Sequence, residues 1–264
     1  VWNIRYSNIE IKKVKIFNFI ILRLLVNLSF ILPKSIVIVS KKAAKFYVKK
    51  GYDKNKLKFI PNGYDIRDSE NNEFKKFNNI KKKKIHIGYV ARYDPLKDHS
   101  NLLYALSLIR IKKINFFCLL VGTNINKNQI LINEIKKLKL TKHIKLLGPV
   151  KNISKIMSRL DIHIQSSISE GFPNVVAEAM AQKTPCVVTD VGDSSYIVGK
   201  TGWVVPPANS EKLAKKIETA IKEIGTKNWH QRCNQARSRI KEKFSINKMI
   251  NSYNRVWVKV YRLR

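Results

Sequence analysis

Between residues 84 and 205 the chain alternates short apolar runs with longer amphipathic stretches. The runs are Ile85–Ala91, Asn115–Val121, Ile144–Leu147, Asp161–Gln165, Pro185–Thr189 and Trp203–Val205. Their length and their Ile, Val, Leu and Phe content predict strands, and near-continuous apolarity predicts strands buried on both faces. Strands alternating with helices at this spacing imply βα units, hence an α/β fold with a mostly parallel sheet covered by helices. Gly122 and Gly148 end their runs, and Gly171 and Gly192 follow theirs within a few residues. Ligands gather at the carboxyl ends of strands in such folds, so the loops carrying these glycines are expected to form one rim.

A shorter unit lies upstream. Ser35–Ser40 reads as a strand, Lys41–Lys50 as a helix ending at Gly51, and Leu57–Ile60 as a strand closed by the turn Pro61-Asn62-Gly63. Asp65 to Lys84 is polar, lysine-rich and aperiodic, which suits a linker between two domains. Ser210 is the expected cap of a helix over Glu211–Ile224, and two further helices follow at Asn228–Lys243 and Ile246–Tyr261. The apolar run Ile16 to Leu32 is interrupted by Asn18, Arg23 and Asn27, so a buried helix, or one lying on a membrane surface, fits better than a span.

Composition changes this picture in one respect. The 264 residues include 52 Lys and Arg against 18 Asp and Glu, a formal net charge of +34. A charge of this size requires an anionic partner to be considered. The lysines are nevertheless spread along the whole chain together with many Ile and Asn, the pattern of an AT-rich genome, and no nucleic-acid-binding module is recognisable. Nucleic acid is therefore not expected as a partner. Cys118, Cys186 and Cys233 are odd in number and widely separated, without zinc spacing, and are expected as buried thiols in a reducing compartment.

The densest chemistry lies in S-E-G-F-P-N-V-V-A-E-A-M-A, residues 169 to 181. Pro173 fits the first helical position, which leaves the amides of Asn174 and Val175 at the positive end of the helix dipole. Gly171 permits close backbone approach. Glu170 in the loop and Glu178 one turn into the helix flank this anion site, and a nucleotide diphosphate sugar has the matching form, negative in the middle and hydroxylated at both ends. Taken alone, two acids eight positions apart favour the plainer reading, a solvated loop residue and a helix-surface residue.

Six motifs occur in one order: I-P-N-G-Y-D at 60 to 65, G-Y-V-A-R-Y-D-P-L-K-D-H at 88 to 99, L-L-V-G at 119 to 122, L-L-G at 146 to 148, the 169 to 181 stretch, and P-C-V-V-T-D-V-G-D at 185 to 193. Together they resemble the retaining GT-B glycosyltransferases of family 4, the group 1 glycosyltransferases, which build bacterial polysaccharides and glycolipids. The resemblance implies a Rossmann-like donor-binding domain at 84–245 and the C-terminal remainder of an acceptor-side Rossmann-like domain at 1–68. A linker at 69–83 would join them, and a final helix at 246–264 would cross back. It assigns Arg92, Lys97 and Glu170 to catalysis, the first two as cations that hold the diphosphate in place of a metal. Glu178 would bind ribose hydroxyls and Glu170 the sugar end. Gly171, Phe172, Pro173, Asn174 and Val175 would form the phosphate turn, with Val150 near the base and Arg5 near the donor sugar, where many relatives have a histidine. No cofactor beyond the donor is implied. The expected partners are a nucleotide sugar, a glycan or lipid-linked acceptor and an anionic membrane face, at the cytoplasmic side of the cell membrane. The family's glycine-rich first loop is not seen ahead of Val1, so a truncated chain is expected, with most of the acceptor surface missing.

Overall fold

A computed structural model describes residues 1–5, 16–66 and 84–262. The expected linker at 69–83 lies outside the described residues. The first unit consists of β1 (Trp2–Ile4), α1 (Ile16–Ile31), β2 (Ile36–Ile38), α2 (Lys41–Lys49) and β3 (Leu57–Phe59). Its three strands lie in the order β1-β2-β3, all parallel. Ile36 and Ile38 of β2 are fully buried and pack with Ala43, Tyr47 and Tyr52, the two tyrosine rings meeting edge-on at 5.1 Å. β1 was not among the expected strands. Three residues are too few to show a period, and Trp2 to Ile4 become a strand only through parallel pairing with Ile36 to Ile38.

The second unit contains β4 (Ile85–Val90), α3 (His99–Ile111), β5 (Phe116–Val121), α4 (Gln129–Lys137), β6 (Ile144–Leu147), α5 (Ile153–Met157), β7 (Ile162–Gln165), α6 (Asn174–Ala181), β8 (Cys186–Thr189), α7 (Ser194–Val198) and β9 (Trp203–Val205). The helices α8 (Ser210–Glu223), α9 (Lys227–Lys243) and α10 (Ile246–Tyr261) follow. All six strands are parallel in the order β6-β5-β4-β7-β8-β9. The chain thus winds outward from β4 in one direction and from β7 in the other. The crevice between the carboxyl ends of β4 and β7 is the topological switch point where such sheets bind ligands.

Helices cover both faces, which explains why the strands read as continuous apolar runs. On one face Leu102, Leu106 and Ile109 of α3 meet Leu213 and Ile217 of α8, and on the other Val176 and Met180 of α6 meet Ala236 and Ile240 of α9. Each fully buried large aliphatic side chain contributes about 1.5–3 kcal/mol. Cys118, Cys186 and Cys233 are buried thiols, as expected.

Capping corrects one boundary. α8 is capped by Asn209, whose side chain accepts from Lys212 N at 2.8 Å, while Ser210 is already helical. Asn and Ser cap about equally well, so adjacent candidates are not separable by sequence. The units meet where Tyr64 N donates to Phe244 O (2.8 Å) and Ile246 N to Tyr64 O (3.0 Å). Further along α10, Tyr253 accepts from Asn3 Nδ2 of β1 at 3.1 Å.

Candidate active site

After Val90 the chain leaves the sheet through a loop shaped by Asp94. Its Oδ1 accepts from Leu96 N (2.9 Å), capping the single 3-10 turn Pro95–Lys97, and its Oδ2 accepts from Arg92 Nε (3.1 Å) and Nη2 (2.7 Å). The Leu96 amide first, and then the Arg92 guanidinium, hold the Asp94 carboxyl below its ordinary value. Asp98 follows in the left-handed region (φ 48°) and caps α3 through Asn101 N, an arrangement Asp tolerates better than most residues. Burial raises its carboxyl. Behind the loop, Gly122 (φ 153°) lies so near the Ala91 carbonyl that an added Cβ would be 2.2 Å from its oxygen. Only glycine permits the two strand ends to approach this closely.

Across the switch point Lys97 meets the loop after β7. Its Nζ is 2.6 Å from Glu170 Oε1, and the two side chains are 20% and 12% exposed. Ser167 Oγ donates to the same carboxylate oxygen at 2.7 Å. Three more contacts stitch the loops together: Tyr89 OH donates to Lys97 O (2.5 Å), Ser166 Oγ to Asp98 O (2.9 Å), and Ile168 N to Leu96 O (2.9 Å). The pair is thus held on a rigid backbone rather than on two free loops. Tyr89 is buried and its hydroxyl pKa is raised, chiefly by that burial. His99 is buried against the Tyr89 and Tyr93 rings, and burial lowers its pKa to about 4, so it is neutral at physiological pH.

The other end of the crevice is the start of α6. Pro173 is not its first helical residue. With φ −72° and ψ 98° it sits extended at the cap position, and no side chain caps the helix. The first residue, Asn174, is instead engaged sideways, its Oδ1 accepting from Asn62 Nδ2 and Tyr64 OH, both at 2.8 Å. These bonds tie the helix start to the first unit. Glu178, one turn further on, is half-buried, and desolvation raises its carboxyl above the ordinary value. Tyr64 faces it, and burial first, with the Glu178 charge second, raises the phenol.

The structure therefore gathers Arg92, Lys97, Glu170 and Gly171 at the switch point and holds Pro173, Asn174, Val175 and Glu178 at the adjoining helix start. Phe172 plays a different part from its neighbours. Its ring is buried against Phe244 (5.7 Å between centroids), so only its backbone is left for a ligand. Val150 and Arg5 are exposed, and among the described residues no hydrogen bond joins either to this cluster. Sequence reasoning missed Tyr89, Ser166 and Ser167, the supports of Lys97 and Glu170. It also treated Asn62-Gly63 as a plain turn, although Asn62 and Tyr64 position Asn174. The one available signal was the short polar step Ser166-Ser167 directly after an apolar strand. Among the described residues no three His, Cys, Asp or Glu side chains are grouped as metal ligands.

A doubly wound sheet with cations and a carboxylate at its switch point, and an uncapped helix start beside them, is a place where an anionic group can be held. The group 1 glycosyl transferase family matches residues 70–240, and the chain belongs to that family. Among known proteins, the capsular polysaccharide biosynthesis glycosyltransferase CapM of Staphylococcus aureus is 24% identical over 251 residues, 90% of this chain and 64% of its own length. The N-acetylgalactosamine-N,N'-diacetylbacillosaminyl-diphospho-undecaprenol 4-alpha-N-acetylgalactosaminyltransferase of Campylobacter jejuni is 27% identical over 186 residues, 67% of this chain and 48% of its own length. The chain thus spans less than two thirds of either relative. Anabaena HepE, crystallised with UDP, has a TM-score of 0.80 at 21% identity over 98% of this chain and 72% of that one. The fold is of the GT-B type.

Proposed function

We propose that the protein transfers a hexose from a nucleotide diphosphate sugar to a growing polysaccharide or glycolipid acceptor, with retention of configuration, as in family 4. The observation that carries this reading is the Lys97–Glu170 pair, 2.6 Å apart at the switch point beside the uncapped start of α6. The diphosphate would lie against the α6 amides, Arg92 and Lys97, the ribose hydroxyls at Glu178, and the sugar at Glu170. Breaking the bond between the anomeric carbon and the phosphate oxygen leaves its electron pair on the diphosphate, where fixed cations and amides offset the charge without a metal. Glu170 faces the opposite charge, developing on the sugar ring. For retention the acceptor oxygen arrives on the face that the diphosphate leaves, so the departing phosphate oxygen is the base nearest its proton.

In this reading residues 84–245 form the donor-binding domain, 1–68 the end of an acceptor-side domain, and 246–264 the helix that crosses back. Val150 would lie near the base and Arg5 near the sugar. The exposed Leu24, Phe30 and Ile31 of α1, with Leu32 just beyond it, would rest on an anionic inner membrane face where lipid-linked acceptors lie. No helix among the described residues is long and apolar enough to cross a membrane.

UDP sugars are the first donors to test, because HepE was crystallised with UDP. A ligand at a hundred times its dissociation constant adds about 2.7 kcal/mol of stability and is visible as a thermal shift. Transfer assays with the responding donor, followed by NMR assignment of the product anomer, complete the test. Binding without transfer would make the protein a donor-binding protein without catalysis, and an inverted anomer would overturn retention. Flotation with phosphatidylglycerol vesicles but not phosphatidylcholine vesicles is the expected membrane result.

A further inference from the structure

Gly192 and Asp193 connect the site loop to the first unit in a way that donor binding does not require. Asp193 is buried, and its carboxylate accepts from Ser40 Oγ (2.9 Å), Lys41 N (2.7 Å) and Lys42 N (3.0 Å). These groups are the cap and first turn of α2, so a carboxylate from one unit occupies the positive helix end of the other. On its other side, Asp193 N donates to Gly171 O at 2.9 Å. Gly192 (φ 49°) lies so close that an added Cβ would be 2.4 Å from Glu170 O and 2.3 Å from Gly171 O. Two outer contacts lie beside the join. Lys42 Nζ is 2.7 Å from Asp190 Oδ1, and Lys41 Nζ is 3.9 Å from the centre of the Tyr196 ring.

A chain of direct contacts therefore runs from α2 through Asp193 to Gly171, Glu170 and Lys97. Separating the units would leave the Asp193 charge and the first amides of α2 without each other, so the joined arrangement is favoured as a whole. The start of α6 is tied to the first unit separately, through Asn174 to Asn62 and Tyr64.

We propose that Asp193 is a positioning residue. It locks α2 to the Glu170–Gly171 loop, so that the relative placement of the two units and the orientation of the sugar-holding carboxylate are set together. Its consequence for turnover rests on the donor reading given above, whereas the lock itself does not. Loosening it is expected to disturb the sugar end of the site and to spare the nucleotide end, which hangs on the other tie.

The test compares Asp193→Ala, Asp193→Asn, Ser40→Ala and Lys42→Ala in the protein by hydrogen exchange, UDP binding and turnover. In Asp193→Asn the amide nitrogen replaces one of the two accepting oxygens, so the bond from Lys41 N or from Lys42 N is lost along with the charge. The expected result is exchange about tenfold faster in Asp193→Ala over both residues 40–44 and 168–173, with smaller effects in Asp193→Asn and Ser40→Ala. Lys42→Ala, which touches only the exposed Asp190 contact and leaves the backbone donor in place, should match wild type. Turnover of the responding nucleotide sugar should fall about tenfold in Asp193→Ala while the dissociation constant for UDP changes less than about twofold. Faster exchange at 40–44 with none at 168–173 would reduce Asp193 to a helix cap and overturn the proposal. Should Asp193→Ala not fold, the graded pair Asp193→Asn and Ser40→Ala carries the same comparison. Wild-type turnover in Glu170→Gln, with 168–173 still loosened in Asp193→Ala, would sink the donor reading and leave the lock standing.

Discussion

Lys97 and Glu170 are predicted to be energetically coupled by an amount that a double-mutant cycle resolves. At 2.6 Å the gross attraction is about 6 kcal/mol with an effective dielectric constant of about 20, and about 1.6 kcal/mol in bulk water. Desolvation of both groups opposes this gain. With 20% and 12% exposure the pair lies between surface pairs, worth about 0–1 kcal/mol, and buried pairs, where removing one partner costs about 3–5 kcal/mol. Lys97→Met leaves Glu170 with the Ser167 hydroxyl but no cation, and should cost about 2–3 kcal/mol. Glu170→Gln keeps a hydrogen-bond acceptor and should cost about 1–2 kcal/mol. The double variant should fall short of the sum by about 1–2 kcal/mol, since neither charge is then left alone. Urea denaturation of the four proteins at one pH and one ionic strength gives the coupling. Raising salt should lower it only in part, because partly buried pairs are weakly screened. Single-variant costs below about 0.5 kcal/mol that add without coupling would refute the reasoning, since independent sites behave in that way.

Other outcomes follow from the same geometry. Gly122→Ala forces a Cβ to within 2.2 Å of Ala91 O at φ 153°, and should cost about 2–4 kcal/mol in melting experiments while weakening donor binding through the displaced Arg92. Gly225→Ala, also at positive φ (84°) but with nothing within 4 Å, should cost only about 1 kcal/mol and leave binding intact. Burial raises the Glu178 carboxyl above its ordinary 4.5, so the folded state holds that proton more tightly than the unfolded chain. This group's contribution to stability should therefore decline as pH rises from 4.5 through the raised value, whereas UDP affinity should increase over the same window as the accepting carboxylate forms. Glu178→Gln should flatten both titrations. His99 behaves in the opposite sense: its pKa falls from 6.5 to about 4, so the unfolded chain binds the proton more readily. Acidification from pH 6.5 toward 4 should remove up to about 3 kcal/mol of stability, and parallel urea-midpoint curves for wild type and His99→Leu would contradict this.

The strands of the second unit were legible because burial on both faces writes itself as uninterrupted apolar sequence, as in Ile162–Gln165. β1 was not, since its three residues acquire meaning only from their partner strand. Motif reading named Arg92, Lys97 and Glu170 separately, and the structure brings them together at the switch point. What joins them is the reversal of winding between β4 and β7, which places Lys97 against Glu170 across 73 positions of sequence and has no local signature. Pro173 was misplaced by one position because the cap and the first turn accept the same φ, and only ψ separates them. Phe172 sits within the motif yet faces the core, a distinction that depends on Phe244 at the far end of α9. Asn62 and Tyr64 were hidden for the same reason: their partner, Asn174, lies in the other unit.

Of the 18 acidic residues in the chain, Asp94, Asp98, Glu170, Glu178, Asp190 and Asp193 all belong to the carboxyl rim of the large sheet. In a molecule carrying +34, attraction to phosphate is available almost anywhere on the surface, and it cannot mark out one place. The rim is set apart by having its cations already matched to acids: Arg92 to Asp94, Lys97 to Glu170 and Lys42 to Asp190. In the proposed reading, an anion arriving there would have to replace a carboxylate already in place, so discrimination would rest on the fit of the exchange and not on the overall field.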